Sequence, residues 1–201
     1  MERGTEMKRG VDLSYAQGAV DFAALKRDGV SFVMLKASQG KLLADASAGP
    51  FTDPRFQENI RGAAGAGMEI GVYHYLCASG KCEACREAEY FLSVIAPYRE
   101  KITLWAACDA EEERYLPAGR AALTECVKVF LDTVRRGGFR PMLYSNPNYL
   151  VYRLGDVSEY DLWLAYWGVP REKAEAYHPK IWQYGVTGIG GIRQVDGDYM
   201  L

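Results

Sequence analysis

Short apolar runs alternate along the chain with longer segments of helical spacing. Residues 31–37 and 69–76 are nearly continuous apolar runs, as strands of a sheet buried on both faces show. Residues 118–136 instead place apolar side chains three and four positions apart, which is the pattern of an amphipathic helix. The first part of the chain therefore predicts repeated strand–helix units.

Eight segments are predicted as strands: residues 10–14, 31–37, 69–76, 103–111, 140–146, 161–167, 180–184 and 195–200. Helices are predicted over residues 21–28, 53–66, 83–95 and 118–136, with a loop over residues 41–51 and a short helix or turn at Asn146. Alternation of strand and helix implies parallel strands with right-handed crossovers. The last three strands have little helix between them. We therefore expect an α/β fold, an irregular TIM-like (β/α) barrel with about eight strands and reduced helices in its C-terminal part.

The central predicted strand, TLWAACDAE at residues 103–111, ends in Asp109 and Glu111. Side chains two apart share one face of a strand, about 7 Å apart. Leu104, Ala106 and Cys108 would take the other face. Crowded carboxylates raise each other's pKa, which disfavours stability but suits proton transfer. The alternative is a strand that runs into an acidic turn.

Two further acids fall on predicted strands at opposite ends of the chain. Asp12 lies near the end of the first strand, and Asp196 lies in the last, which neighbours the first if the sheet closes. Barrel active sites lie at the carboxyl ends of the strands. Asp12, Asp109, Glu111 and Asp196 are therefore expected at one mouth.

The amino-acid composition argues against two classes of function, nucleic-acid binding and membrane insertion. A net charge of −2 and a pI near 5.8 leave no basic excess for nucleic acid. No apolar stretch approaches the roughly 20 residues that cross a bilayer, so no membrane insertion is expected. Residues 1–7 form a predicted N-terminal extension without a visible signal peptide, and residues 8–201 form a predicted single domain.

The five cysteines are an odd number, which argues against a disulfide framework. Cys77, Cys108 and Cys126 lie in apolar surroundings and are predicted as core residues. Cys82 and Cys85 form a Cys-x-x-Cys without a second pair, so we interpret them as two thiols in the first turn of a helix. No metal site or cofactor is predicted.

Short motifs follow one another along the whole chain from Lys8. In order, they are GVDLS at residues 10–14 with Gln17-Gly18, KASQG at 36–40, D-x-x-F-x-x-N at 53–59, GVYHY at 71–75, DAE at 109–111, WLA at 163–165, WQY at 182–184 and VD at 195–196. This series resembles that of glycoside hydrolase family 25, the lysozymes of Chalaropsis and phage-endolysin type. Each motif is weak alone, and their common order makes the resemblance specific.

The resemblance implies hydrolysis of the β-1,4 bond between N-acetylmuramic acid and N-acetylglucosamine in peptidoglycan. It implies that Glu111 is the general acid and then the base that activates water. Asp12, Asp109 and Asp196 would be the other active-site acids. Asp109 could orient the substrate N-acetyl group, as in substrate-assisted glycosidases, or assist a water directly.

Aromatic side chains favour a saccharide partner, because sugar rings present apolar faces with polar edges. The chain has 14 Tyr and 4 Trp. Those predicted to bind substrate are Tyr73, Tyr75, Tyr144, Trp163, Tyr166 and Trp182. His74 lies on the face opposite Tyr73 and is interpreted as a hydrogen-bonded structural residue, and His178 as a solvated loop residue.

The sequence departs from the family pattern at Ala16, Gln39 and the pair Gly197-Asp198, where an aromatic, Glu, and an apolar residue with Asn are usual. These departures leave the four acids in place and bear on the saccharide subsites and on the preference for modified glycan. Two alternatives remain open, a hydrolase of a related N-acetylated glycan such as chitin and a non-catalytic glycan-binding barrel. We expect a monomer that acts on peptidoglycan strands of the cell wall.

Overall fold

The computed structural model of the chain describes residues 7–41, 49–114 and 116–201. Most of the predicted N-terminal extension and of the loop at residues 41–51 lies outside the described residues. The described residues contain nine strands in one sheet: β1 (Lys8–Leu13), β2 (Val30–Gln39), β3 (Phe51–Thr52), β4 (Glu69–Tyr75), β5 (Ala106–Asp109), β6 (Pro141–Ser145), β7 (Asp161–Ala165), β8 (Ile181–Ile189) and β9 (Ile192–Met200).

The sheet closes into a barrel. Strand β1 pairs in parallel with β2 and antiparallel with β9, and the remaining pairings run in the order β9, β8, β7, β6, β5, β4, β2. Eight strands therefore form the ring. The two-residue β3 pairs with Ser38 and Gln39 at the C-terminal end of β2. The predicted irregular α/β barrel is confirmed, and β3 is the strand that the apolar pattern missed because two residues carry no periodicity.

One barrel strand runs against the others. Strand β9 is antiparallel to both β8 and β1, and the turn before it contains Gly190 and Gly191 with φ of 61° and 82°. A parallel connection would need roughly a dozen residues or more, whereas two glycines in the left-handed region close a hairpin. The hairpin extends both strands well beyond their predicted bounds.

Helices cover the outer face of the first strands and become short towards the C-terminus. They are α1 (Phe22–Arg27), α2 (Phe56–Gly65), α3 (Lys81–Ile95), α4 (Arg120–Arg136) and α5 (Arg171–Glu175). Between β6 and β7 the chain forms a π-helical turn, Tyr149–Arg153. The reduced C-terminal helices are confirmed. The five-residue α5 was not predicted, because it buries only Ala174 and has no apolar stripe.

Strand alternation divides the core into two layers. Side chains such as Val11 and Leu35 point outward and pack under the helices. The side chains that fill the barrel interior are Phe32, Met34, Tyr73, Trp105, Ala107, Met142, Tyr144, Trp163 and Ile181. Leu104 packs against this interior cluster, which corrects its predicted place on the outer face, because β5 begins only at Ala106.

Candidate active site

The four predicted acids line one cavity of about 200 Å³. Apolar interior residues precede polar ones along the parallel strands, as Met34 precedes Lys36 on β2 and Ala107 precedes Asp109 on β5. The cavity is therefore at the carboxyl ends of the strands. Its lining residues are Asp12, Lys36, Tyr73, Tyr75, Asp109, Glu111, Tyr144, Trp163, Gln183 and Asp196.

Asp109 and Glu111 lie at different depths. Asp109 is the last residue of β5 and is 7% exposed, whereas Glu111 lies two residues beyond the strand and is exposed at the rim. The segment after β5 is held by its backbone, because Leu76 N–H donates to the Asp109 carbonyl at 2.8 Å and the Tyr149 hydroxyl donates to the Glu111 carbonyl at 3.1 Å. Both carboxylates reach the cavity, although β5 ends at Asp109 and Glu111 lies beyond it, whereas the predicted strand 103–111 included both acids.

Asp12 and Asp196 are directly paired residues on β1 and β9. Asp12 is 8% exposed and accepts a hydrogen bond from Gln183 Nε2 at 2.8 Å. Asp198, two residues along the same face of β9, is fully buried and accepts from Trp163 Nε1 at 2.8 Å. Strands β1 and β9, which close the barrel, thus supply three carboxyl groups. Asp12 and Asp196 line the cavity, and Asp198 lies buried beneath it.

The cavity raises the pKa of its acids. Burial is the first cause for Asp12, Asp109 and Asp196, and partial burial of its carboxyl is the first cause for Glu111. Repulsion adds to it, from Asp196 on both Asp12 and Glu111, and from Glu111 on Asp109. The cluster therefore holds protons at a pH where isolated carboxyl groups are ionised.

Lys36 is a cation within this cluster. Burial lowers its pKa, while the charges of Asp109 and Asp53 raise it. Its Nζ donates to Gln39 Oε1 at 2.8 Å and lies 4.7 Å from the centre of the Tyr75 ring. Its charge lowers the pKa of both Asp109 and Glu111, so it opposes the effect of burial.

Lys36 and Gln183 are cavity residues that the sequence reasoning did not select. Both stand in motifs that carry the family resemblance, KASQG and WQY. Both are also polar side chains inside apolar strands, which is the same sequence signal that marks Asp12.

Four of the six predicted aromatic residues line the cavity, namely Tyr73, Tyr75, Tyr144 and Trp163. Trp182 and Tyr166 do not. They belong to a separate cluster on the outer face of the barrel, where the Trp182 Nε1 donates to the Tyr166 carbonyl at 2.9 Å. Side chains alternate along a strand, and those of Ile181 and Gln183 point inward, so Trp182 between them points outward. This corrects its predicted place in the site.

The histidines and cysteines lie as predicted. His74 is fully buried outside the barrel interior, with Nδ1 2.8 Å from Ser38 Oγ and Nε2 2.9 Å from Glu87 Oε2. His178 is exposed. Cys77, Cys108 and Cys126 are buried free thiols, while Cys82 lies in the first turn of α3 and Cys85 one turn further along.

A barrel of mainly parallel strands with several carboxylates at their carboxyl ends is an arrangement typical of glycoside hydrolases. Residues 11–191 match the sequence pattern of glycosyl hydrolases family 25. The chain belongs to this family. No helix in the described part of the chain is long and apolar enough to cross a bilayer.

Individual relatives agree with this assignment. An autolytic lysozyme from Clostridium acetobutylicum is 31% identical over 193 residues, covering 94% of this chain and 55% of that protein. An N,O-diacetylmuramidase from Chalaropsis is 30% identical over 150 residues, covering 70% of this chain and 67% of that protein. The modular autolysin LytC from Streptococcus pneumoniae, solved in complex with a synthetic peptidoglycan ligand, has a TM-score of 0.85 at 20% identity, covering 98% of this chain and 48% of that chain. The chain thus spans about half the length of the Clostridium and Streptococcus proteins.

Proposed function

We propose that the protein is an N-acetylmuramidase that cleaves the β-1,4 bond between N-acetylmuramic acid and N-acetylglucosamine in peptidoglycan. The observation that carries the proposal is the meeting of Asp12, Asp109, Glu111 and Asp196 in one polar cavity. A groove that only binds glycan has no need of four carboxyl groups that repel one another. The names of the Clostridium and Chalaropsis relatives, a lysozyme and a diacetylmuramidase, support the substrate class.

Glu111 is assigned as the general acid. It stands at the rim, where a glycosidic oxygen can reach it, and its raised pKa keeps a proton available for the leaving group. Once the leaving sugar departs, the carboxylate left behind takes a proton from the attacking water. The hydrogen bond from the Tyr149 hydroxyl to the Glu111 carbonyl holds the backbone of this residue.

Asp109 is assigned to the substrate N-acetyl group. Its carboxyl is buried below Glu111, and Oδ1 has no hydrogen-bond partner among the described residues. A buried acceptor without a partner is costly, and the amide N–H of an N-acetylated sugar would satisfy it. Attack by the N-acetyl oxygen on the anomeric carbon then gives a product of retained configuration, whereas direct attack by water inverts it. NMR of the first anomer released distinguishes the two.

The central test is the Glu111→Gln variant on purified peptidoglycan. Parent protein should release new reducing ends, and the variant should lose at least about a thousandfold in rate because proton transfer is removed. Glu113→Gln is the matched control, since Glu113 is exposed and pairs with Arg153 at 3.3 Å. A Glu111→Gln variant as active as the parent would show that another residue is the acid.

The substrate is tested by mass spectrometry of the digest. N-acetylmuramic acid at the new reducing end identifies a muramidase, and N-acetylglucosamine there identifies a different bond specificity. Cleavage of chitin oligomers with peptidoglycan left intact would favour the chitinase alternative. We propose that the protein works as a monomer on glycan strands of the cell wall, which sedimentation of the active protein tests.

A further inference from the structure

We propose that Trp167 is a sugar-stacking residue at the rim of the cavity, where it holds the glycan strand beside the bond that is cut. The proposal rests on the muramidase function, because it adds a substrate contact to the same site. Trp167 lies outside every motif that carries the family resemblance, and it does not line the cavity itself.

The first observation is its exposure. Trp167 is 52% exposed, whereas Trp105, Trp163 and Trp182 are 5%, 1% and 7% exposed. It follows β7 by two residues, so it stands at the same end of the barrel as the acids. An indole left in water forgoes the roughly 25 cal/mol per Å² that burial of apolar surface provides. An exposed indole beside a catalytic cavity is therefore a candidate binding surface.

The second observation is that the indole is anchored. Trp167 Nε1 donates to Gln183 Oε1 at 2.9 Å, and the same oxygen accepts from the Tyr144 hydroxyl at 3.1 Å. Gln183 Nε2 donates in turn to Asp12 Oδ2 at 2.8 Å. One side chain therefore connects the exposed ring to a carboxylate of the cavity. A ring held in place before binding loses little conformational entropy when a ligand stacks on it.

The third observation is the shape of the rim around the ring. Gly185 has a φ of 139°, and a β-carbon built on it would lie 3.9 Å from Trp167 Cγ, so a larger residue there would reach the indole. Val186, 53% exposed, pairs directly with Asp196. An apolar rim next to polar cavity groups matches the apolar face and polar edges of an N-acetylhexosamine ring.

Kinetics with solubilised peptidoglycan glycan strands test the assignment. Trp167→Ala should raise KM about tenfold, the effect of losing one anchoring contact, with kcat within about twofold of the parent. Trp167→Phe should restore part of the affinity, because a flat ring remains although the hydrogen bond to Gln183 is lost. Tyr152→Ala is the matched control, since Tyr152 is 72% exposed on the turn after β6 and no described hydrogen bond links it to a cavity residue. It should change KM less than twofold.

Acrylamide quenching of tryptophan fluorescence is a second measurement, and its response to glycan would not depend on Trp167 if that residue had only a structural role. In the Glu111→Gln background, which binds without cutting, added glycan should protect the exposed tryptophan emission from acrylamide, and Trp167→Phe should abolish this protection. Unchanged KM in Trp167→Ala, or an equal rise in Tyr152→Ala, would overturn the stacking role while the muramidase function stands. A parent protein that releases no reducing ends would overturn the proposed function itself.

Discussion

Asp12 and Asp196 are direct partners across the antiparallel pair of β1 and β9, although they lie near opposite ends of the chain. The pair that closes the barrel therefore brings together two acids. The charge of Asp196 is also the first charge that raises the pKa of both Asp12 and Glu111. Barrel closure and the protonation state of the site thus depend on the same two strands.

Removing the charge of Asp196 should alter the pH dependence of activity. In Asp196→Asn the pKa of Glu111 should fall, because a repelling carboxylate is lost. A general acid must be protonated, so the basic limb of the kcat/KM profile should move to lower pH. Asp21→Asn is the control, because Asp21 caps α1 and Asn caps equally well. A basic limb that stays in place would contradict the coupling.

Removing the charge of Lys36 should have the opposite effect. Lys36 lowers the pKa of Asp109 and Glu111, so Lys36→Met should raise both and move the basic limb of the profile to higher pH. The comparison is Lys81→Met, whose lysine is exposed and pairs with Glu125 at 3.1 Å. Equal profiles for both lysine variants would show that Lys36 does not tune the acids.

Asp198 should limit stability at neutral pH. Burial, then repulsion from Asp12, raises its pKa well above the ordinary 3.8. A raised carboxyl pKa contributes stability that is fully present below the unfolded pKa and is lost as pH rises through the folded pKa. Asp198→Asn keeps an acceptor for Trp163 and carries no charge. Its free energy of unfolding should exceed that of the parent by on the order of 1–3 kcal/mol at pH 7, with little difference near pH 3.5.

Urea unfolding at the two pH values measures this difference. Asp156→Asn provides the contrast, because Asp156 is exposed and its pKa is lowered by hydrogen bonds from Ser158. It should show no gain at pH 7. A destabilised Asp198→Asn at neutral pH would mean that the carboxylate itself is needed. Asn is the usual residue here in the pattern that the sequence resembles, which agrees with the expected gain.

The buried partner of His74 should be required for stability. Glu87 Oε2 lies 2.9 Å from His74 Nε2 and accepts from Cys77 N–H at 2.9 Å. Glu87→Ala would leave both groups buried without a partner and should cost about 3 kcal/mol in the free energy of unfolding. Glu89→Ala, exposed on the same helix, should change it by less than about 0.5 kcal/mol. A loss below about 1 kcal/mol at Glu87 would contradict the role of this network.

The pattern of apolar and polar residues predicted most helices and strands, because each type of element repeats its apolar positions with a characteristic period. The apolar runs of β2 and β4 and the stripe of α4 extend over enough residues for one face to be recognised. Strand β3 and helix α5 are too short to show a period. The reversed direction of β9 depends on the turn at Gly190 and Gly191, a glycine pair that the sequence does contain.

The sequence by itself determined the eight barrel strands, the acids placed near their ends and the family resemblance, because these depend on residue type, alternation and order. Only the tertiary structure decided which side chains share a cavity. It placed Lys36 and Gln183 among the acids, turned Trp182 to the outer face and set Trp167 at the rim. The physical reason is that the direction and register of each strand decide which side chains meet, and both depend on turns and on pairing with strands that are distant in the sequence.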